Sequence, residues 1–306
     1  PLMAGVSPAV IAHAVVRALH MPLHLFNAGL CSPPPVPCVD LGGAPAACLT
    51  TGQALSLHTV KHLFAQGLHW GHTLALAASP SYLVLGECVV GGTTTALAVL
   101  MGLGVPAHGR VNSSHPHCNH RQKQEVVQQG LAKAGLSVGT RDPIALVAAV
   151  GDPMQPVVAG MAIAASQHGG VLLAGGTQML AVYALAGAIV HTQGLWWQPD
   201  QIVVGTTRWV VDDPTGDTVG LAAAISQALP FLPMPTLLAT QLSFATSRYP
   251  QLRIYEQGFV KEGVGAGGCA IAASLYRHWR SADMVQAIEQ VLATMNLQPD
   301  PASMRG

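Results

Sequence analysis

Tyr82-Leu83-Val84-Leu85-Gly86-Glu87-Cys88-Val89-Val90-Gly91-Gly92-Thr93-Thr94-Thr95-Ala96 decides the fold class. Tyr82 to Leu85 shows no polar alternation, which is the pattern of a strand covered on both faces. A Gly- and Thr-rich turn follows, and Ala96 to Met101 reads as a small-residue helix. The succession recurs in kind. Val171 to Ala174 leads through Gly175-Gly176-Thr177 into a helix from Met179 to Val190, and Ile202 to Val204 leads through Gly205-Thr206-Thr207 into a helix from Val219 to Leu229. Strands alternating with helices predict an α/β protein: a doubly wound, mostly parallel sheet with helices on both faces.

Outward from these units, Ser7-Pro8 is a helix start, with Pro at the first position, and Ala9 to Leu19 continues it. Pro22 to Phe26 reads as a short strand, Cys31 to Pro45 as a Pro-rich ordered loop, Thr59 to Ala78 as a helix and Thr236 to Ala239 as a strand. Two helices close the chain, Gly265 to His278 and Ser281 to Met295, with no strand between them. They are expected to join the first helix in a small helical subdomain (residues 7–19 and 265–296) beside a core of residues 20–245, within one domain over residues 1–306.

Only 9% of the 306 residues are charged, 14 basic against 14 acidic, where ordinary domains carry about 25%. A zero formal net charge leaves no electrostatic footprint for nucleic acid or an anionic membrane. The uncharged stretches at 62–86, 153–199 and 218–247 are broken by His, Gln, Gly or Pro, so they read as buried core rather than membrane spans. No basic-then-apolar leader stands at Pro1, and six Cys without a CxxC pair fit a reduced, cytoplasmic setting.

In such a sheet, ligands settle where strand ends meet helix N-termini. Gly91 to Thr95 and Gly175 to Thr177 have the character of anion-binding turns, although neither matches a dinucleotide or P-loop signature. The glycines read equally as close-packing positions. Of five Glu, Glu87 and Glu262 sit in glycine-rich or apolar surroundings. Each is either paired structurally or kept for proton transfer, since burial raises a carboxyl towards the working range. Asn112-Ser113-Ser114-His115-Pro116-His117-Cys118-Asn119-His120 packs three His and a Cys into one loop but matches no zinc spacing. Polar contacts with a ligand or a subunit partner are the expectation there, and no metal.

Gly86-Glu87-Cys88-Val89-Val90-Gly91-Gly92-Thr93-Thr94, Val171-Leu172-Leu173-Ala174-Gly175-Gly176 and Glu262-Gly263-Val264-Gly265-Ala266 resemble, in the same order, three motifs of the nicotinate-nucleotide:dimethylbenzimidazole phosphoribosyltransferases. The runs Gly91 to Ala96, Asn112 to Pro116 and Gly151 to Pro156 look closer still to that family's divergent archaeal and cyanobacterial branch. Members of that branch carry residues ahead of the point matching Pro1, so the chain is expected to be short at its N-terminus. Two positions depart from the pattern: a family Asn falls on Gly92 or Thr93, and a family Asp on Ala174.

The resemblance implies transfer of phosphoribose from nicotinate mononucleotide to an aromatic base such as 5,6-dimethylbenzimidazole, in cobamide (vitamin B12) lower-ligand assembly. It implies Glu262 as the catalytic base. The phosphate and ribose would be held by Glu87, Gly91, Gly92, Thr93, Thr94, Thr95, Gly175, Gly176, Gly263 and Gly265, and the flat base by an apolar slot partly built from Met- and Leu-containing helices. No cofactor is implied, and the partners are the two small substrates and a second copy in a homodimer. Three alternatives remain open: a non-catalytic nucleotide-binding homologue, a phosphoribosyltransferase with a purine-like acceptor, and a dinucleotide-using enzyme.

Overall fold

The computed structural model describes residues 5–295 and 297; Pro1, on which the expectation of a shortened N-terminus rests, lies outside them. In chain order the elements are α1 (Ala9–Leu19), β1 (Phe26–Asn27), β2 (Val39–Asp40), α2 (Leu57–Ala78), β3 (Tyr82–Gly86), α3 (Gly92–Gly102), α4 (His120–Lys133), α5 (Pro143–Val150), α6 (Met154–Ser166), β4 (Gly170–Ala174) and α7 (Thr177–Gln193). They continue with β5 (Ile202–Thr206), α8 (Arg208–Val211), α9 (Thr218–Ala228), β6 (Thr236–Ala239), α10 (Pro250–Arg253), α11 (Ala266–Arg277) and α12 (Ser281–Thr294).

β3, β4, β5 and β6 lie side by side in that order, all parallel, with Val84 opposite Leu172 and Val204 opposite Leu237. Strand alternation sorts the side chains to two faces. Leu85, Val171, Leu173, Ile202 and Val204 join the main core with residues of α2, α3, α5, α6, α7 and α9. Val84, Leu172 and Ala174 turn to the other face, where α11 lies so close that a Cβ on Gly268 would stand 2.3 Å from the Ala174 Cβ. Helices thus cover both faces of the sheet. The strands follow in chain order without the reversal of a doubly wound sheet, so right-handed crossovers put the connecting helices on one side. The second side is covered by α11, which the chain supplies after β6. α1 packs on α11 and α12, with Val10, Ile11 and Ala14 against Met284, Ile288 and Leu292.

The expected strand at Pro22 to Phe26 shrinks to a two-residue parallel pairing of Phe26–Asn27 with Val39–Asp40, the latter inside the expected loop. Leu23 and Leu25 are exposed, so this apolar run has no sheet to join. Asn27 then turns the chain, its Oδ1 accepting from the N–H groups of Gly29 and Leu30.

α2 is capped by Ser56, whose hydroxyl oxygen accepts from Thr59 N–H. It meets α6 backbone to backbone: a Cβ on Gly67 would stand 2.2 Å from the Val157 carbonyl, and one on Gly71 2.4 Å from that of Met161. This packing supports β3 and β4 from below. Because every strand runs the same way, their carboxyl ends share one edge, and Glu87, Gly175 and Thr207 follow those ends directly.

Candidate active site

The segment between α10 and α11 crosses that edge in an unusual backbone conformation. Val260, Lys261 and Val264 have φ of 68°, 62° and 54°, beside Gly263 at 141° and Gly265 at 71°. A left-handed conformation costs a non-Gly residue roughly 1–2 kcal/mol, so something must hold this one. Val260 N–H donates to the Ser114 carbonyl at 2.9 Å, Val264 N–H donates to the Glu87 carbonyl at 2.8 Å, and Thr207 Oγ1 donates to the Lys261 carbonyl at 2.6 Å. These bonds stitch the segment to three neighbouring loops.

They hold Glu262 half-buried with both oxygens occupied. Oε2 accepts from Thr206 Oγ1 at 2.9 Å and Thr207 N–H at 2.8 Å; Oε1 accepts from Gly263 N–H at 3.1 Å and Gly267 N–H at 3.0 Å. Four donors fill the acceptor capacity of a carboxylate. Burial pushes the Glu262 carboxyl above its usual range, and the four donors work against that rise.

Glu87 lies beyond the end of β3, its Oε2 accepting from Val89 N–H at 2.8 Å and its Oε1 from Gln178 Nε2 at 2.9 Å. Burial, with the nearby charges of Asp152 and Glu262, raises it from about 4.5 to about 7 against the pull of the Val89 N–H. Asp152, also raised by burial, accepts from Thr95 Oγ1 at 2.5 Å at the start of α3. Between pH 4.5 and 7 the folded chain therefore holds a proton on Glu87 that the unfolded chain has released, so stability falls as pH rises through that window. The total is about 3 kcal/mol. Glu87→Gln cannot ionise, and urea unfolding at pH 5 and pH 8 should show the variant gaining about that much on the unaltered protein at the higher pH. A difference independent of pH would refute the assignment.

A buried cluster of two lysines and an aspartate adjoins the site. Lys261 and Lys123 are 2% and 3% exposed, and Asp213, at 7%, is the carboxylate between them. Lys261 Nζ donates to Asp213 Oδ2 at 2.5 Å and to the His115 carbonyl at 2.9 Å, while Lys123 Nζ donates to the Val111 and Asn112 carbonyls. Burial alone would raise the Asp213 carboxyl, but hydrogen bonds from Lys261, Asn112 and Thr215 prevail and hold it at about 2. Burial lowers Lys123 to about 8.

Beside these groups lies a cleft of about 50 Å³, lined by Thr93, Ser113, Gly176, Gln178, Lys261 and Glu262 among others. A family model described as phosphoribosyltransferase matches residues 9–200 of the chain. The chain belongs to this family. A UPF0284 protein of Cyanothece sp. is 64% identical over 291 residues, covering 95% of this chain and 76% of its own length. Another, of Nostoc sp., is 61% identical over 301 residues, covering 94% and 78%. The nicotinate-nucleotide-dimethylbenzimidazole phosphoribosyltransferase of Thermus thermophilus has the same fold, with a TM-score of 0.60 at 17% identity, over 97% of this chain and 75% of that one.

Of the residues that the family resemblance singles out, Thr93, Gly176 and Glu262 meet in the cleft. Glu87 reaches it through Gln178. Gly263 and Gly265 shape the segment carrying Glu262, Gly263 through its own N–H and Gly265 as the left-handed residue before α11. Gly175 N–H donates to the Gly205 carbonyl, Thr95 turns to Asp152, Gly92 packs under Gln178, and Gly91 is exposed ahead of α3. Thr94 N–H donates to the Gly91 carbonyl. The expected apolar slot does not line this cleft. Val210 and Val260 are its only apolar side chains, and a larger apolar hollow of about 240 Å³ under Leu55, Leu57 and Leu136 shares no residue with it.

Sequence reasoning missed Asp152, Lys123, Asp213, Lys261 and Gln178. Asp152 and Lys261 stood inside or next to quoted motifs. Lys123 and Asp213 sit in ordinary-looking surroundings and acquire meaning only when the fold brings them together. Among the described residues, no three His, Cys, Asp or Glu are arranged to hold a metal ion. His120 Nε2 instead meets the Thr215 carbonyl, and Cys118 N–H donates to Thr215 Oγ1, tying the Asn112 to His120 loop to the segment before α9. No helix among the described residues is long and apolar enough to cross a membrane.

Proposed function

We propose that the protein transfers phosphoribose from nicotinate mononucleotide to a ring nitrogen of an aromatic base such as 5,6-dimethylbenzimidazole, giving α-ribazole 5′-phosphate and nicotinate in cobamide lower-ligand assembly. The observation that carries this reading is a half-buried carboxylate, Glu262, lining a cleft at the carboxyl edge of the sheet together with the Asp213-paired Lys261. The donor is complementary to such a site: its phosphate is anionic, and its pyridinium, like the cation that develops at C1′, is positive.

As the C1′–N bond breaks, its electron pair returns to the pyridinium ring, which leaves neutral and needs no general acid. The attacking imidazole nitrogen forms the new C1′–N bond, and the ring's other nitrogen gives up its proton. Glu262 is the group to take that proton, a role worth about 10²- to 10⁴-fold in rate. To do so it must release one present donor, and the Thr206 hydroxyl is the one that frees an oxygen by simple rotation. Glu87, with its carboxyl raised to about 7, holds Gln178 against the Gly91–Gly92 turn. Positioning of donor and acceptor supplies much of the remaining acceleration.

A second acceptor class is favoured by the cleft itself. No apolar slot lines it, and Gln178 Oε1 is buried without a partner beside it, which suits a base with more polar edges, such as a purine, placed against the cleft rather than in it. Incubation with nicotinate mononucleotide and a panel of benzimidazoles and purines, followed by mass detection of new ribotides, tests both. Ribotide formed on a benzimidazole supports the first reading and on purines alone the second, while none with any base would sink both.

A further inference from the structure

We infer that the phosphate monoester of the substrate is recognised chiefly by Ser113 and Lys261 together with the N-terminus of α7, with Thr93 the one residue of the Gly91 to Thr95 turn that lines the same cleft. This rests on the phosphoribosyl-transfer reading above and assigns the part of the site that takes the donor's phosphate.

The two helix N-termini at the sheet edge differ in what already occupies them. At α3, although Thr93 lines the same cleft, two carboxyl groups already stand at the helix start: Thr95 donates to Asp152, and Val89 N–H, just before the turn, donates to Glu87. A second anion there would face two buried carboxyl groups. At α7, a 17-residue helix, Gly176, Thr177 and Gln178 line the cleft directly. The helix dipole there favours negative charge.

Opposite α7 stands Ser113, 8% exposed, whose Oγ is buried and has no hydrogen-bond partner. A buried hydroxyl left unpaired in the free protein is unfavourable, and it makes sense as a donor kept for a ligand. Lys261 lines the same cleft. Its ammonium has three N–H donors, two of which are placed on Asp213 and His115, leaving one. Behind the cleft lining, the buried Lys123 adds a second cation to the cluster around Asp213. A cleft of about 50 Å³ suits a small group rather than a whole mononucleotide, whose pockets run to several hundred Å³. The remainder of the donor extends out of the cleft, past Glu262 on its lining.

Ser113→Ala separates this role from a structural one, because the Oγ makes no bond whose loss would weaken the free protein. The full chain is titrated calorimetrically with ribose 5-phosphate, inorganic phosphate and ribose, and its urea midpoint is measured without ligand. The expected result is binding of ribose 5-phosphate by the unaltered protein, weakened about tenfold to a hundredfold in Ser113→Ala, as for loss of one hydrogen bond to a charged group. The midpoint of the free variant should be no lower. Inorganic phosphate should compete with ribose 5-phosphate, and ribose should not. Unchanged affinity in the variant, an equal loss for ribose, or no binding of either phosphate by the unaltered protein would overturn the assignment. The readout needs neither acceptor nor turnover. A protein that binds ribose 5-phosphate through Ser113 but never releases nicotinate leaves this inference standing and removes the transfer reaction. One that transfers with Ser113→Ala binding normally removes only the inference.

Discussion

Glu262→Gln is expected to slow nicotinate release and ribotide formation by at least about 100-fold while leaving the affinity for nicotinate mononucleotide within a fewfold of its original value. The amide keeps the size of the side chain but cannot accept a proton at neutral pH. One of its ends is an NH₂ that must face donors, either the backbone N–H groups of Gly263 and Gly267 or the Thr206 hydroxyl and Thr207 N–H. The second arrangement is the easier one, because a hydroxyl can turn to accept and a backbone N–H cannot. It still sets an NH₂ against Thr207 N–H, so a stability loss of about 1–3 kcal/mol should accompany the loss of rate. The stability loss shows in a urea midpoint, and the mechanistic loss in single-turnover rates measured where the variant is fully folded. Turnover unchanged in a folded variant would remove Glu262 from the chemistry.

Lys261→Met should produce the largest stability loss of any single exchange near the site, about 3–5 kcal/mol, because it strands the Asp213 carboxylate in a place only 1% exposed at the side chain. That is a large share of the roughly 5–15 kcal/mol available to a typical domain. Lys261→Met combined with Asp213→Asn removes both charges and should recover most of the loss, since the main cost is the unpaired ion rather than the absent pair. The pH dependence provides a second check. Asp213 ionises at about 2 in the folded chain and near 3.8 when unfolded, so the contribution of its ionised form is complete above about pH 4 and is lost as pH falls towards 2. In the double variant this slope disappears. Urea midpoints at pH 7 and pH 3 decide the matter, and a single variant as stable as the double one would contradict the account of the pair.

The parallel sheet and its helices were legible because the strands are apolar throughout and Gly-Thr turns separate them from small-residue helices. Thr236 to Ala239 forms a strand over the span read from the sequence, and the helix predicted at Thr59 to Ala78 begins only two residues earlier. The order of winding was not legible. Nothing local in Gly265 to His278 says that this segment covers the second face of the sheet, because that role depends on glycines 267 and 268 meeting backbone distant in sequence. The same limit applied to the site. Glu262 stood out through its glycine-rich setting, but the Lys261–Asp213 pair spans 48 residues and the Thr95–Asp152 bond 57, and no short motif encodes either. The Asn112 to His120 run was expected to make polar contacts, but nothing local singles out Ser113 as the hydroxyl left unpartnered.

The central claim is phosphoribosyl transfer at the cleft lined by Glu262 and Lys261. It is tested most directly by mixing the unaltered protein with nicotinate mononucleotide and 5,6-dimethylbenzimidazole and following both products by mass. Equimolar nicotinate and α-ribazole 5′-phosphate, both absent when the base is left out, is the predicted result. Nicotinate release that does not depend on the base, or no release while the mononucleotide remains bound, would contradict it.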